Sequence, residues 1–215
     1  VPPSADYWKR VRAVCDKYDI HLILDEVYCG LGRSGYVYCC EWDAITPDFV
    51  AQGKQLAAGY GPISAVVTRS CFEEEIKRGK DRIFFASTYE AHPLAIAAAI
   101  AVQEIVQSDD VLAHVRSTGE RMRQLLVDGL GTHPFFKNVR GRGMLSTIEY
   151  DCAQRDLFNV HLERRMRERG ILMQCRYHRS NFNPPSTTDA RDALRAVDIY
   201  VEEFRAAGTQ FRVRE

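Results

Sequence analysis

His21-Leu-Ile-Leu-Asp25-Glu-Val-Tyr-Cys-Gly30-Leu-Gly-Arg-Ser-Gly35 is a short apolar run that ends in two acids and then breaks into glycines. An apolar run of this length suits a strand buried on both faces, as in a parallel sheet. Downstream, Asp48-Phe-Val-Ala-Gln52 and Ile63-Ser-Ala-Val-Val-Thr68 read as two more short strands. Between them lies Gly53-Lys-Gln-Leu-Ala-Ala-Gly-Tyr-Gly-Pro62, a flexible loop with one lysine. Upstream, Trp8, Val11, Cys15 and Tyr18 recur at spacings of three and four, which predicts a helix behind Pro2 and Pro3.

Further along, Pro93 to Val106 is almost wholly apolar and alanine-rich, predicting a buried helix. Val111 to Leu130 continues it as an amphipathic helix, with Val115, Met122, Leu125 and Leu126 on one face. After Thr132-His-Pro134 the pattern changes. Val139 to Tyr150 and Ile171 to Cys175 read as strands, and Leu157 to Arg169 and Asp189 to Ala207 as helices closed by Gly170 and Gly208. The expected organisation is α/β: residues 1–110 as part of a larger, mostly parallel sheet domain, and residues 111–215 as a small α+β domain.

The chain has 215 residues, 29 basic and 29 acidic side chains, and 46 % hydrophobic residues, an ordinary globular balance. Zero net charge argues against a nucleic-acid partner or an anionic membrane held by bulk electrostatics. No apolar run approaches the roughly 18 residues of a membrane span. The seven cysteines contain no CxxC pair, so free thiols in a reducing cytoplasm are expected and a zinc site is not. Val1 stands where an initiator methionine would, and no signal-peptide pattern follows, so a processed or partial chain is expected.

Two residues stand out for chemistry. Asp25 ends an apolar strand, where ligands of open α/β sheets bind, although a cap or a salt bridge would also use an acid there. Lys54 in its glycine-flanked loop could hold phosphate, form an imine or face solvent. A P-loop is excluded because position 48 is Asp and position 55 is Gln. The GxGxxG string at 30–35 is a poor dinucleotide site, since acids precede it and Tyr36-Val-Tyr-Cys-Cys40 reads as β rather than as a helix start. An acid at one strand end, a lysine at a nearby one and Ser87-Thr88 before an alanine-rich helix together suit pyridoxal phosphate, which needs a ring-nitrogen partner, an imine-forming amine and phosphate donors.

These segments, with Val139-Arg-Gly-Arg-Gly-Met-Leu145 and Asn183-Pro-Pro-Ser-Thr-Thr-Asp189, resemble the class III (ω-type) aminotransferases of the pyridoxal-phosphate-dependent fold type I. The 29-residue step from Asp25 to Lys54 belongs to the matching pattern. The resemblance implies Lys54 as the Schiff-base lysine and proton shuttle, and Asp25 as partner of the pyridine nitrogen. Val27 would pack on the ring and Tyr28 would stand by its hydroxyl, where relatives usually carry Gln. Ser87 and Thr88 would serve the phosphate, Thr88 reaching the neighbouring site of a homodimer. Arg142, in the segment that would start the small domain near the substrate entrance, is one candidate carboxylate contact; Arg179 is another, in a shifted register, because Asn181 occupies the position three before the prolines where relatives often carry Arg.

Members of this family are about twice as long, so the resemblance also implies a missing N-terminal half, supplied as a second polypeptide. The implied reaction is amino transfer from an ω-amine or amino acid to a keto acid such as pyruvate or 2-oxoglutarate, in the cytoplasm. A racemase, aminomutase or decarboxylase of the same cofactor class, or a catalytically silent subunit, are the alternatives.

Overall fold

A computed structural model describes residues 3–79, 88–108 and 110–211, which divide into two units, Pro3–Leu112 and Ala113–Glu215. Among the described residues no helix is long and apolar enough to cross a membrane.

The first unit opens with helix α1, Tyr7–Lys17, followed by strand β1, Ile23–Asp25. Trp8, Val11 and Cys15 fall on one side of α1 and pack with Leu22, Leu24 and Cys40 in a small apolar cluster. Strand β2, Phe49–Gln52, runs parallel to β1, with Asp25 in register with Ala51. Strand β3, Ala65–Thr68, is antiparallel to β2, and helices α2, Ser70–Arg78, and α3, Pro93–Ser108, follow. The sheet order is β1-β2-β3. The sequence pattern does not predict α2.

Asp48 fastens this unit together just before β2. Its buried carboxylate accepts the Leu22 backbone N–H at 2.8 Å, Arg12 at 2.8 Å and Arg69 at 3.1 Å. Burial alone would raise its pKa, but the backbone donor and the two guanidinium groups bring it down to about 2. A carboxylate with a folded pKa below its unfolded value stabilises the fold at neutral pH, and that stability is lost as pH falls through the folded value. The urea midpoint should therefore fall between about pH 4 and pH 2. Asp48→Asn should be less stable at pH 7 and should show a shallower fall in that window. An equally steep fall in the variant would assign the acid sensitivity to other carboxylates.

Three expectations for this unit are corrected. β1 is buried on one face only: Leu24 is buried while Ile23 is 65 % exposed, because the described residues cover one side of the sheet. The α3 helix is likewise half covered. Ala95, Ala99 and Val106 point inward at helical spacing, whereas Leu94 is 76 % and Ile100 55 % exposed. An apolar pattern reports which residues favour burial, not which surface buries them. Finally, Tyr36 to Cys40 is not a strand. The chain bends there into a 3-10 turn, Cys39–Asp43, because the buried Glu26 carboxylate captures the N–H groups of Cys39 at 2.7 Å and Cys40 at 2.8 Å.

The second unit is an antiparallel sheet of order β4-β5-β7-β6 with helices α4, α5 and α6. β4 is Phe136–Arg142, β5 Leu145–Tyr150, β6 Gln174–Arg176 and β7 Arg179–Phe182. α4 is Val111–Leu130, α5 Arg155–Glu168 and α6 Ala190–Gln210. Its core is aromatic: Tyr150, Phe158 and Phe204 are fully buried, and Phe158 meets Phe204 edge-on at 5.2 Å. Two polar residues shape it. Asp189 caps α6 by accepting the Arg191 N–H at 2.8 Å. Glu203, buried on α6, pairs with Arg165 of α5 and with Arg169, the residue that caps α5.

Gly170 closes α5 at φ +82, as its position predicts. Gly208 does not close α6, which runs on to Gln210. It is small because a Cβ there would overlap the His133 ring. β7 was also not legible, since Arg179-Ser-Asn-Phe182 carries one apolar residue; its inward positions are Ser180 and Phe182.

Candidate active site

β1 and β2 are parallel neighbours, so their C-terminal ends emerge side by side. Asp25 ends β1, and Lys54 follows β2 by two residues. This is the edge of a sheet where open α/β folds place their ligands. Asp25 is exposed, and its Oδ1 accepts the Val27 N–H at 3.0 Å. That local turn aims the chain so that Val27 stands over Gly53. A Cβ on Gly53 would meet Val27 Cγ1 at 3.4 Å, so the Val27 methyls lie against the residue that precedes Lys54. Lys54 itself is exposed and opens a 3-10 turn, Lys54–Leu56, with φ +40. A non-glycine residue in that region is strained by about 1 kcal/mol and persists only where its surroundings hold it. Its Nζ lies 5.9 Å from the centre of the Tyr28 ring.

The glycine string beside this edge serves packing. Glu26 is 3 % exposed, and burial raises its pKa against the pull of the Cys39 and Cys40 N–H groups. A Cβ on Gly30 would sit 3.0 Å from the Glu26 carboxylate and from its carbonyl oxygen. Gly32 adopts φ +90. The string therefore wraps a buried acid and offers no helix N-terminus to a phosphate. Arg33 is half-buried, and burial lowers its pKa while the Tyr28 phenol opposes that shift.

Thr88 is an exposed turn residue five positions before Pro93, the first residue of α3; Ser87 lies outside the described residues. The structure thus brings Asp25, Val27, Tyr28 and Lys54 together in the first unit. Arg142 and Arg179 belong to the second. Arg142 ends β4, opposite Leu145, and Arg179 starts β7, opposite Glu149. They flank β5 on opposite sides and stand about 13 Å apart along it, so they cannot grip one carboxylate. Arg179 and Asn181 lie on the same outer face of β7, since Ser180 and Phe182 point inward. Asn181 is already held, accepting the Thr147 hydroxyl at 3.1 Å.

The donor set in the first unit is an accessible amine, an accessible carboxylate and the apolar methyls of Val27 beside them. It fits an aldehyde-bearing aromatic base, whose ring nitrogen takes the acid and whose aldehyde takes the amine. Among the described residues no group of three His, Cys, Asp or Glu side chains could hold a metal.

Comparison with known proteins gives the same direction. The family model "Aminotransferase class-III" matches residues 1–202. An aminotransferase from Gibberella zeae is 37 % identical over 150 residues, covering 70 % of this chain and 29 % of that protein. The mitochondrial ornithine aminotransferase of Arabidopsis thaliana is 33 % identical over 210 residues, covering 94 % of this chain and 43 % of that one. Among solved structures, the Toxoplasma gondii ornithine aminotransferase, with partial occupancy of pyridoxal phosphate at its active site, superposes with a TM-score of 0.86 at 28 % identity. That match covers 97 % of this chain and 48 % of the other. The chain therefore spans less than half the length of these relatives.

Proposed function

The chain belongs to the class III aminotransferases, a pyridoxal-phosphate-dependent family of fold type I, and from that premise we propose that it carries the lysine and the ring-pairing acid of an aminotransferase site. The observation that carries this reading is the emergence of Asp25 and Lys54 from the same ends of two adjacent parallel strands. Bound at that edge, pyridoxal phosphate supplies an aldehyde for the amine and an electron sink for the bond beside it.

The chain's own residues then divide the work. Lys54 offers the amine that holds the cofactor and, once displaced by the incoming amino group, moves the proton at the adjacent carbon. Asp25 presents a negative charge to the ring nitrogen and keeps it protonated. Val27 would give the ring an apolar face, and Tyr28, whose ring centre is 5.9 Å from the Lys54 amine, would donate to the ring hydroxyl. Thr88 supplies a phosphate donor, in our reading to the neighbouring site of a two-copy assembly, with Ser87 beside it. Residues 1–110 contribute to the large cofactor-binding domain, and residues 111–215 form the small domain.

The substrates we propose are an ω-amine or amino acid and a keto acid such as pyruvate or 2-oxoglutarate, in the cytoplasm. An ornithine aminotransferase from Arabidopsis thaliana and a taurine–pyruvate aminotransferase from Bilophila wadsworthia are both among the relatives, which supports the class and leaves the pair open. Of the two arginines, Arg179 is the better carboxylate contact, because it shares the outer face of β7 with Asn181. The exposed Leu94 and Ile100 of α3 and Val66 of β3 support a further polypeptide covering these faces, an N-terminal half of the fold.

The test is a donor–acceptor screen of the cofactor-loaded enzyme, with product nitrogen followed by an isotopically labelled amine. Label appearing in the amino acid made from the keto acid is the expected result. Loss of carbon dioxide, or inversion of a chiral donor without transfer of label, would replace amino transfer by decarboxylation or racemisation.

A further inference from the structure

We propose that Gln103 is a positioning residue for the Lys54 amine; the inference rests on the reading of Lys54 as the cofactor lysine. Gln103 follows an unbroken run of apolar residues in α3, Leu94 to Val102, and is half-buried. An amide in such a place is costly unless it is paired. Its Nε2 donates to two backbone carbonyls, Gln55 O at 3.2 Å and Leu56 O at 3.1 Å. Those are the last two carbonyls of the 3-10 turn that Lys54 opens. A turn this short leaves its terminal carbonyls without partners of its own, so one NH2 group satisfies both.

The clamp acts on a strained residue. Lys54 stands at φ +40, and about 1 kcal/mol would be released if its backbone moved to an ordinary region. On one side the turn follows directly from β2 and is closed by its own Leu56 N–H to Gly53 O bond at 2.9 Å. On the other it is held by Gln103. The same helix meets the chain again beyond the turn, where a Cβ on Gly61 would come within 2.9 Å of Ala95 Cα. Residues 53–61 are thus pinned to α3 at two places about 12 Å apart along the helix. Without the amide, the two carbonyls must find water or another donor, and the lysine loses the restraint that keeps its backbone strained. The amine would then sample positions away from Asp25, which weakens both the bond to the cofactor and the proton transfer.

The experiment compares the holoenzyme with Gln103→Leu, which removes the donor, and Gln103→Glu, which keeps the shape and replaces the donor by an acceptor. Borohydride reduction and peptide mapping first locate the cofactor. The pH midpoint of its visible absorbance, kcat, the amine KM and hydrogen exchange of the cofactor-free protein are then measured. In both variants the cofactor should still map to Lys54. The pH midpoint should move by about half a unit or more, since the amine's surroundings change. kcat should fall roughly tenfold while the amine KM changes less than about twofold, the pattern of misplaced chemistry rather than lost binding. Amides of residues 55–58 should exchange faster, while those of 94–102 stay as in the parent.

Unchanged midpoint, kcat and exchange with the cofactor on Lys54 would overturn the positioning role and leave the functional reading standing. A parent enzyme whose cofactor maps elsewhere would overturn the functional reading itself. Faster exchange along all of α3 in both variants would assign Gln103 to the stability of the helix and overturn its role at the lysine.

Discussion

Lys54→Ala should lose the visible absorbance of a lysine-bound cofactor and lower turnover by ~10³–10⁴-fold, the scale set by removing a group that moves the proton. The expected loss is large because Lys54 is the only lysine in the stretch from Leu22 to Pro62 that forms this edge of the sheet. Asp25, Val27 and Tyr28 surround the position, and none of them can form an imine. The fold should survive, since the Lys54 side chain is exposed and alanine releases only the restriction of a long side chain. Absorbance spectra and borohydride mapping check the first part, and steady-state rates the second. A variant with the parent's spectrum would move the cofactor-bearing amine to another residue.

Asp25→Asn is the second large effect. The amide keeps the shape of the side chain and can still accept the Val27 N–H that shapes the turn, so the local structure should hold. It offers no negative charge to a ring nitrogen. A neutral partner no longer favours the protonated ring, and the ring withdraws electrons less strongly. Turnover should fall ~10²-fold or more, with the cofactor still mapped to Lys54. The two variants therefore separate the roles: one loses the attachment, the other keeps attachment and loses the chemistry. Near-parent rates for Asp25→Asn, measured under the same conditions, would mean that another group pairs with the ring nitrogen.

The candidate site was legible because its chemistry is concentrated in one stretch. The apolar run before Asp25, the glycines around Lys54 and the step between them are local features, and strands read from local features are found where expected: β1, β2 and β3 lie within the predicted runs. Amphipathic helices were legible for the same reason, α4 most of all, since its period alone defines it. The misreadings share a different cause. Tyr36 to Cys40 has the composition of a strand, yet a carboxylate thirteen residues upstream captures its N–H groups and turns it. Gly208 has the place of a helix cap, yet the His133 ring explains it. Gln103 carried no signal in the sequence, yet it is the donor to a turn 47 residues away. In each case the deciding partner is distant in sequence, and no local pattern carries it.

By itself the sequence carried the resemblance to the family, the two candidate residues Asp25 and Lys54 and most of the elements that hold them, because motif strings, apolar periodicity and glycine placement are properties of the chain read in order. Tertiary structure alone decided that β1 and β2 run parallel side by side, so that the acid and the amine emerge at one edge, that Lys54 is held at a strained backbone angle by an amide from α3, and that Arg142 and Arg179 stand on opposite sides of β5. The physical reason is that strand register and hydrogen bonds to backbone carbonyls join residues by their position in space, which side-chain type along the chain does not encode.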